Sequence, residues 1–153
     1  IAGPTALIAF LKMMAPGFVY SVGLSAPLAA TAITALEVMQ AEPERVARLQ
    51  ANGKLFRDCA REAGLDTGYS EGFAVTPVIV GDSLKAVALS HMLFEAGVNA
   101  LPIVHPAVPE KAARVRFFLT SEHTEAQIRR TIEVTKTAVS EIEEIARQVF
   151  NPT

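Results

Sequence analysis

Two arginines separated by a single residue, Arg114 and Arg116, stand in an otherwise apolar run, Ala113-Arg114-Val115-Arg116-Phe117-Phe118-Leu119. The alternation predicts a strand over residues 113–119, with side chains repeating at period two. Ala113, Val115, Phe117 and Leu119 then face one way, and Arg114, Arg116 and Phe118 the other. Next-but-one residues on a strand lie about 7 Å apart, so the two guanidiniums are neighbours. A guanidinium is a planar five-donor fork that matches a carboxylate or a phosphate through two parallel hydrogen bonds. Anion capture is therefore the chemistry open to this pair. Two solvated arginines on an outer sheet face show the same pattern and are the commoner reading of it, and spacing alone does not rank the two residues.

Other polar candidates are sparse. His105 stands before Pro106 in a loop that Pro109 also bounds. It is either a plain loop residue or a group facing a substrate. His123 falls just ahead of a helix cap, where a structural role is the simpler reading. His91, His105 and His123 show no metal-ligand spacing, so no metal site is expected. Neither a Gly-x-Ser-x-Gly elbow nor a phosphate-binding P-loop is present.

The elements that must position these residues follow from periodicity and breakers. Residues 1–3 read as the tail of a strand. Pro4 opens a first helix with Leu7, Ile8, Leu11 and Met14 on one stripe, ended by Pro16-Gly17. Residues 18–22 read as extended. Ser25 is placed to cap a second helix reaching about Gln40, with Pro27 in its first turn. Pro43 restarts a helix to about Ala63, with Val46, Leu49, Gly53, Phe56 and Ala60 inward and Gly64 closing it. Gly53 inside a helix costs about 1 kcal/mol against Ala, which marks a close contact. A strand over 75–80 carries Pro77 and so belongs at an edge or a bulge. Asp82 or Ser83 caps a helix to Ala96, and a strand over 98–104 carries Pro102. Thr124 and Gln127 have capping-box spacing for a last helix. Its stripe is Ile128, Ile132, Thr135, Val139, Ile142, Ala146 and Val149. The fold class expected is α+β: leading helices, then a short, mostly antiparallel sheet with helices on one face.

Composition sets the outer bounds. The chain has 153 residues, half hydrophobic and a fifth charged, with net charge −2. That suits a soluble globular domain and carries no nucleic-acid or membrane-surface footprint. A single cysteine, Cys59, excludes an internal disulfide and fits a reducing, cytoplasmic setting. No apolar run reaches the roughly 20 residues of a membrane span. The chain opens on Ile1 without an initiator methionine, as expected of a piece of a larger protein.

Several phrases together resemble the C-terminal part of the α-oxoamine synthases, pyridoxal-phosphate enzymes of the aspartate-aminotransferase fold. They are Pro106-Ala107-Val108-Pro109 followed by Arg114 to Thr124, then Val19 to Pro27, and then Thr76 to Asp82 with its helix and Gly97-Val98. These cover nearly the whole chain in order. The resemblance implies that residues 1–42 are the end of the large cofactor-binding domain with a connecting helix, and that 43–153 form the small domain. It implies an amino acid joined to an acyl thioester, on coenzyme A or a carrier protein, with loss of CO2, in a homodimer. Arg116 matches the position that binds the amino-acid carboxylate. Ser21 matches a hydroxyl that reaches the cofactor phosphate of the neighbouring subunit. The family's pyridoxal-phosphate lysine precedes Ile1, and Lys12, Lys54, Lys85, Lys111 and Lys136 match no such motif. The fragment is thus expected to be inactive alone. A non-catalytic homologous subunit and a free-standing α+β ligand-binding or interaction module remain the competing readings.

Overall fold

In chain order the elements are α1 (Thr5–Met14), α2 (Pro16–Val19), α3 (Ala26–Ala41), α4 (Pro43–Glu62), β1 (Val75–Ile79), α5 (Ser83–Glu95), β2 (Leu101–Ile103), β3 (Arg114–Phe118) and α6 (Glu125–Phe150). The structure, a computed structural model, describes residues 2–150 and the side chains of residues 2–148. It separates into two units, Ile1–Glu42 and Pro43–Thr153.

The sheet is ordered β1-β3-β2, and both pairs are antiparallel. The two prolines explain the order. Pro77 in β1 and Pro102 in β2 each lack an N–H for a second ladder, so both strands are edges. The proline-free β3 takes the centre. β2 is shorter than the predicted 98–104 because its flanks are committed elsewhere. The Val98 N–H closes α5 through Leu93 O at 2.8 Å, and Val104 O accepts the Ala107 N–H at 2.9 Å. Ser90 Oγ also donates to Ala100 O at 2.6 Å.

Helix ends follow local chemistry. Asp82 Oδ1 accepts the Lys85 N–H at 2.9 Å and starts α5. At the α6 entry, Thr124 Oγ1 accepts the Gln127 N–H at 3.3 Å while Gln127 Oε1 accepts the Thr124 N–H at 2.8 Å, a reciprocal capping box. α4 closes on Gly64 at φ +80°, with Leu65 N–H on Ala60 O at 2.9 Å and Gly64 N–H on Arg61 O at 3.0 Å.

Helices α4, α5 and α6 cover one face of the sheet. Phe56 from α4, Leu89 and Leu93 from α5, Ile128 and Ile132 from α6, and Val78, Val115 and Phe117 from the strands form one core. The Phe56 and Phe117 rings lie 4.9 Å apart and tilted. Burying each such side chain contributes about 1.5–3 kcal/mol. The predicted stripe of α6 is buried at Ile128, Ile132, Thr135 and Ile142, joined by Ala138, with Val139 and Ala146 half-buried. Val149 falls outside the described side chains. Gly53 is buried, and a Cβ there would land on the carbonyl oxygens of Gly72 and Phe73, so the expected close contact is made.

The unit Ile1–Glu42 corrects three expectations. Ile1 lies outside the described residues, and Ala2 and Gly3 form no strand. The extended run expected over residues 18–22 begins instead as a helical turn through Tyr20. Pro16 heads α2, with the Phe18 and Val19 N–H groups on Ala15 O at 2.9 Å and Tyr20 N–H on Pro16 O at 3.0 Å. Proline's preset φ at the first turn overrides the aromatic run behind it. Ser25 occupies the N-cap of α3, but its side chain makes no capping bond; Pro27 is in the first turn as expected. None of the described residues of α1, α2 or α3 is buried.

Candidate functional site

Residues directly opposite in an antiparallel ladder share a face, so the register assembles the surface around the arginines. Arg116 stands opposite Pro77 of β1 and Leu101 of β2. Phe118 stands opposite Val75, and Arg114 opposite Ile79 and Ile103. The outer face is therefore apolar apart from its two arginines, and no acidic residue shares it in the ladder. Leu101 is 61% exposed and Phe118 55% exposed. An open apolar face with a cation in its middle suits a covering surface or a ligand bearing a negative charge.

The structure separates the arginines that spacing left equal. Arg114 is half-buried, and its Nε donates to Ala112 O at 2.7 Å. Part of its fork is committed to the backbone leading into β3. Arg116 is exposed, and among the described residues its guanidinium makes no hydrogen bond or ion pair. Its Cζ lies 4.8 Å from the centre of the Phe118 ring. A ring face attracts a cation above it without taking up an N–H donor. The alternation expected of residues 113–119 holds: Ala113, Val115, Phe117 and Leu119 are buried and Arg116 and Phe118 are exposed.

The other candidates sit elsewhere. His105 lies beyond the end of β2 where Ile103 faces Arg114, the end away from Phe118. It is exposed, and its backbone N–H donates to Ser83 Oγ at 3.3 Å. Ser83 is the hub of that corner. Its N–H and its hydroxyl both donate to the Glu110 carboxylate at 2.6 Å. These bonds to the ionised form hold the Glu110 carboxyl below the usual carboxylate range. Ser21 is exposed, and its hydroxyl donates to Phe18 O at 3.3 Å, closing the α2 turn. His123 is structural, as expected: its Nδ1 accepts the Thr120 N–H at 3.1 Å. Asn52, which sequence reasoning did not single out, pins the same turn, donating to Thr120 O at 2.9 Å and to His123 O at 2.8 Å. A cleft of about 330 Å³ opens beside this turn, with Phe118, His123 and Arg130 in its lining.

A small α+β unit whose central strand presents one unpaired arginine on an open face agrees with the kinship of the sequence. The chain belongs to the family described as aminotransferase class I and II, whose profile matches residues 1–134. It is 44% identical over 128 residues to the 8-amino-7-oxononanoate synthase of Symbiobacterium thermophilum, covering 84% of this chain and 32% of that protein. The 8-amino-7-oxononanoate synthase structure from Francisella tularensis superimposes with a TM-score of 0.75 at 21% identity, covering 92% of this chain and 41% of that one. A serine palmitoyltransferase solved with pyridoxal phosphate gives 0.78 at 19% identity, covering 91% and 35%. The expected α+β fold, helices with a short antiparallel sheet matching part of these structures, is thereby borne out. The chain spans about a third of the length of the curated relatives it matches.

Lys12, Lys54, Lys111 and Lys136 are exposed. Lys85, half-buried, borders a cavity of about 90 Å³, well below the roughly 300 Å³ at which ligand pockets begin. Among the described residues no helix is long and apolar enough to cross a membrane.

Proposed function

We propose that this chain is the C-terminal part of a pyridoxal-phosphate-dependent α-oxoamine synthase. Residues 1–42 end the large domain and its connecting helix, and residues 43–153 form the small domain. The full-length enzyme is a cytoplasmic homodimer that condenses an amino acid with an acyl thioester of coenzyme A or a carrier protein, releasing CO2. Its cofactor, attached to a lysine outside this chain, supplies an electron sink for the bond broken at Cα.

The observation that carries the reading is the unpaired Arg116 fork on an apolar face without acids. Two parallel hydrogen bonds from Arg116 hold the amino-acid carboxylate in one plane. Fixing the carboxylate fixes the rotation of Cα, and orientation of this kind supplies a large share of a barrier reduction. Ser21 exchanges its 3.3 Å bond to Phe18 O for a bond to the cofactor phosphate of the neighbouring subunit. Bonds to an ionised phosphate are about twice as strong as neutral ones. The exposed His105 imidazole offers a second polar contact to substrate.

The test is amino-acid affinity in the full-length enzyme. Arg116→Ala strands the substrate carboxylate in a desolvated site and costs about 2–5 kcal/mol, or roughly 30- to several-thousand-fold. Arg116→Lys restores part of this, because an ammonium cannot make the fork contact. Arg114→Ala has a small effect, its Nε being bound to Ala112 O. Wild-type affinity in Arg116→Ala, or a larger loss in Arg114→Ala, would refute the assignment.

A further inference from the structure

We infer that Phe118 is a positioning residue for Arg116, a conclusion that rests on the carboxylate-binding role proposed above. The two side chains leave the same face of β3 at next-but-one positions, and the guanidinium carbon sits 4.8 Å from the ring centre. Arg116 has no carboxylate among the described residues to hold it, and its ladder neighbours Pro77 and Leu101 offer no side-chain hydrogen-bonding group. The ring supplies what the ladder does not. Its negative face attracts the cation without occupying a donor. An acidic partner would also order the side chain, but it would fill the fork that must receive the substrate. That attraction restricts the long side chain in advance, so less freedom is lost when the carboxylate arrives. An aliphatic residue at 118 would cover the same sheet area but lack the quadrupole. The aromatic ring, 55% exposed, is thus not explained by core packing.

Two measurements test this. In the full-length enzyme, 15N relaxation of the Arg116 Nε–Hε group reports the order of the guanidinium directly. Phe118→Leu lowers that order and Phe118→Tyr retains it, while the thermal midpoint stays near wild type because the ring is half exposed. In the full-length enzyme, Phe118→Leu raises the KM for the amino acid about 2- to 30-fold, the range spanned by exposed and desolvated cation–π pairs. The KM for the acyl thioester is unchanged, and Phe118→Tyr restores the amino-acid KM. In an Arg116→Ala background, Phe118→Leu adds no further loss. Unchanged order and KM in Phe118→Leu, an equal loss in the Arg116→Ala background, or a matching rise in thioester KM would overturn the inference. A defective Arg116→Ala beside a wild-type-like Phe118→Leu defeats this inference alone. A wild-type-like Arg116→Ala defeats the carboxylate assignment beneath it.

Discussion

Gly53→Ala is the substitution for which helix propensity and tertiary structure predict opposite signs. Position 53 lies in the interior of α4, where replacing glycine by alanine stabilises a solvent-exposed helix by about 0.8–1 kcal/mol. Here the added methyl would land on the carbonyl oxygens of Gly72 and Phe73. Both obstacles are backbone, so no rotamer change relieves the overlap. The 72–73 segment cannot retreat freely. Arg57 Nη1 holds Glu71 O at 2.6 Å, and the Leu119 N–H holds Ala74 O at 2.7 Å where β1 meets β3. Val75 then enters the ladder opposite Phe118. Moving the segment by even an ångström strains these bonds, and a methylene forced into a packed site typically costs about 1–3 kcal/mol or more. A backbone-to-backbone clash belongs at the upper end, so after the propensity gain the net loss is about 2 kcal/mol. That lowers the thermal midpoint of the small domain by roughly 10 °C. Circular dichroism melts and urea titration of wild type and Gly53→Ala measure it. A variant as stable as wild type, or more stable, would refute the close approach of α4 to residues 72–73.

Asn52→Ala removes both donors that pin the turn between β3 and α6, leaving the Thr120 and His123 carbonyls with one partner fewer; a loss of about 1–3 kcal/mol is expected by urea denaturation. Glu110 provides a pH test. Its carboxyl is held below the usual range, chiefly by the Ser83 hydroxyl and then by the Ser83 N–H. A group whose pKa is depressed on folding contributes stability above its unfolded value and loses it as pH falls through the folded one. Wild type should therefore exceed Glu110→Gln in stability at neutral pH, with the difference shrinking below about pH 4; a pH-independent gap in melting temperature would contradict this.

Much of the architecture was legible in the chain itself because it depends on neighbours in sequence. The Thr124–Gln127 capping box, the Asp82 cap and the Gly64 terminus each form within a few residues, and their donors and acceptors lie at fixed offsets. The alternation of residues 113–119 named the buried face of β3 correctly because a pleat allows only two faces. Pro77 marked β1 as an edge or a bulge because a missing N–H is a property of the residue, not of its surroundings, whereas the edge position of β2 emerged only with the sheet order. Residues 18–22 misled, since a helical turn set by Pro16 outweighed their β-like composition. The choice between Arg114 and Arg116 was a different matter. Both carry the same fork, and spacing treats them alike. The folded chain turns Arg114 back onto Ala112 O, two residues earlier, and leaves Arg116 over Phe118, with Pro77 and Leu101 opposite it in the ladder. Those flanking residues lie far away in sequence, and only the pairing of the strands brings them beside the guanidinium. Local residues decided which segments became strand and helix; the ladder decided that the free arginine stands among apolar neighbours.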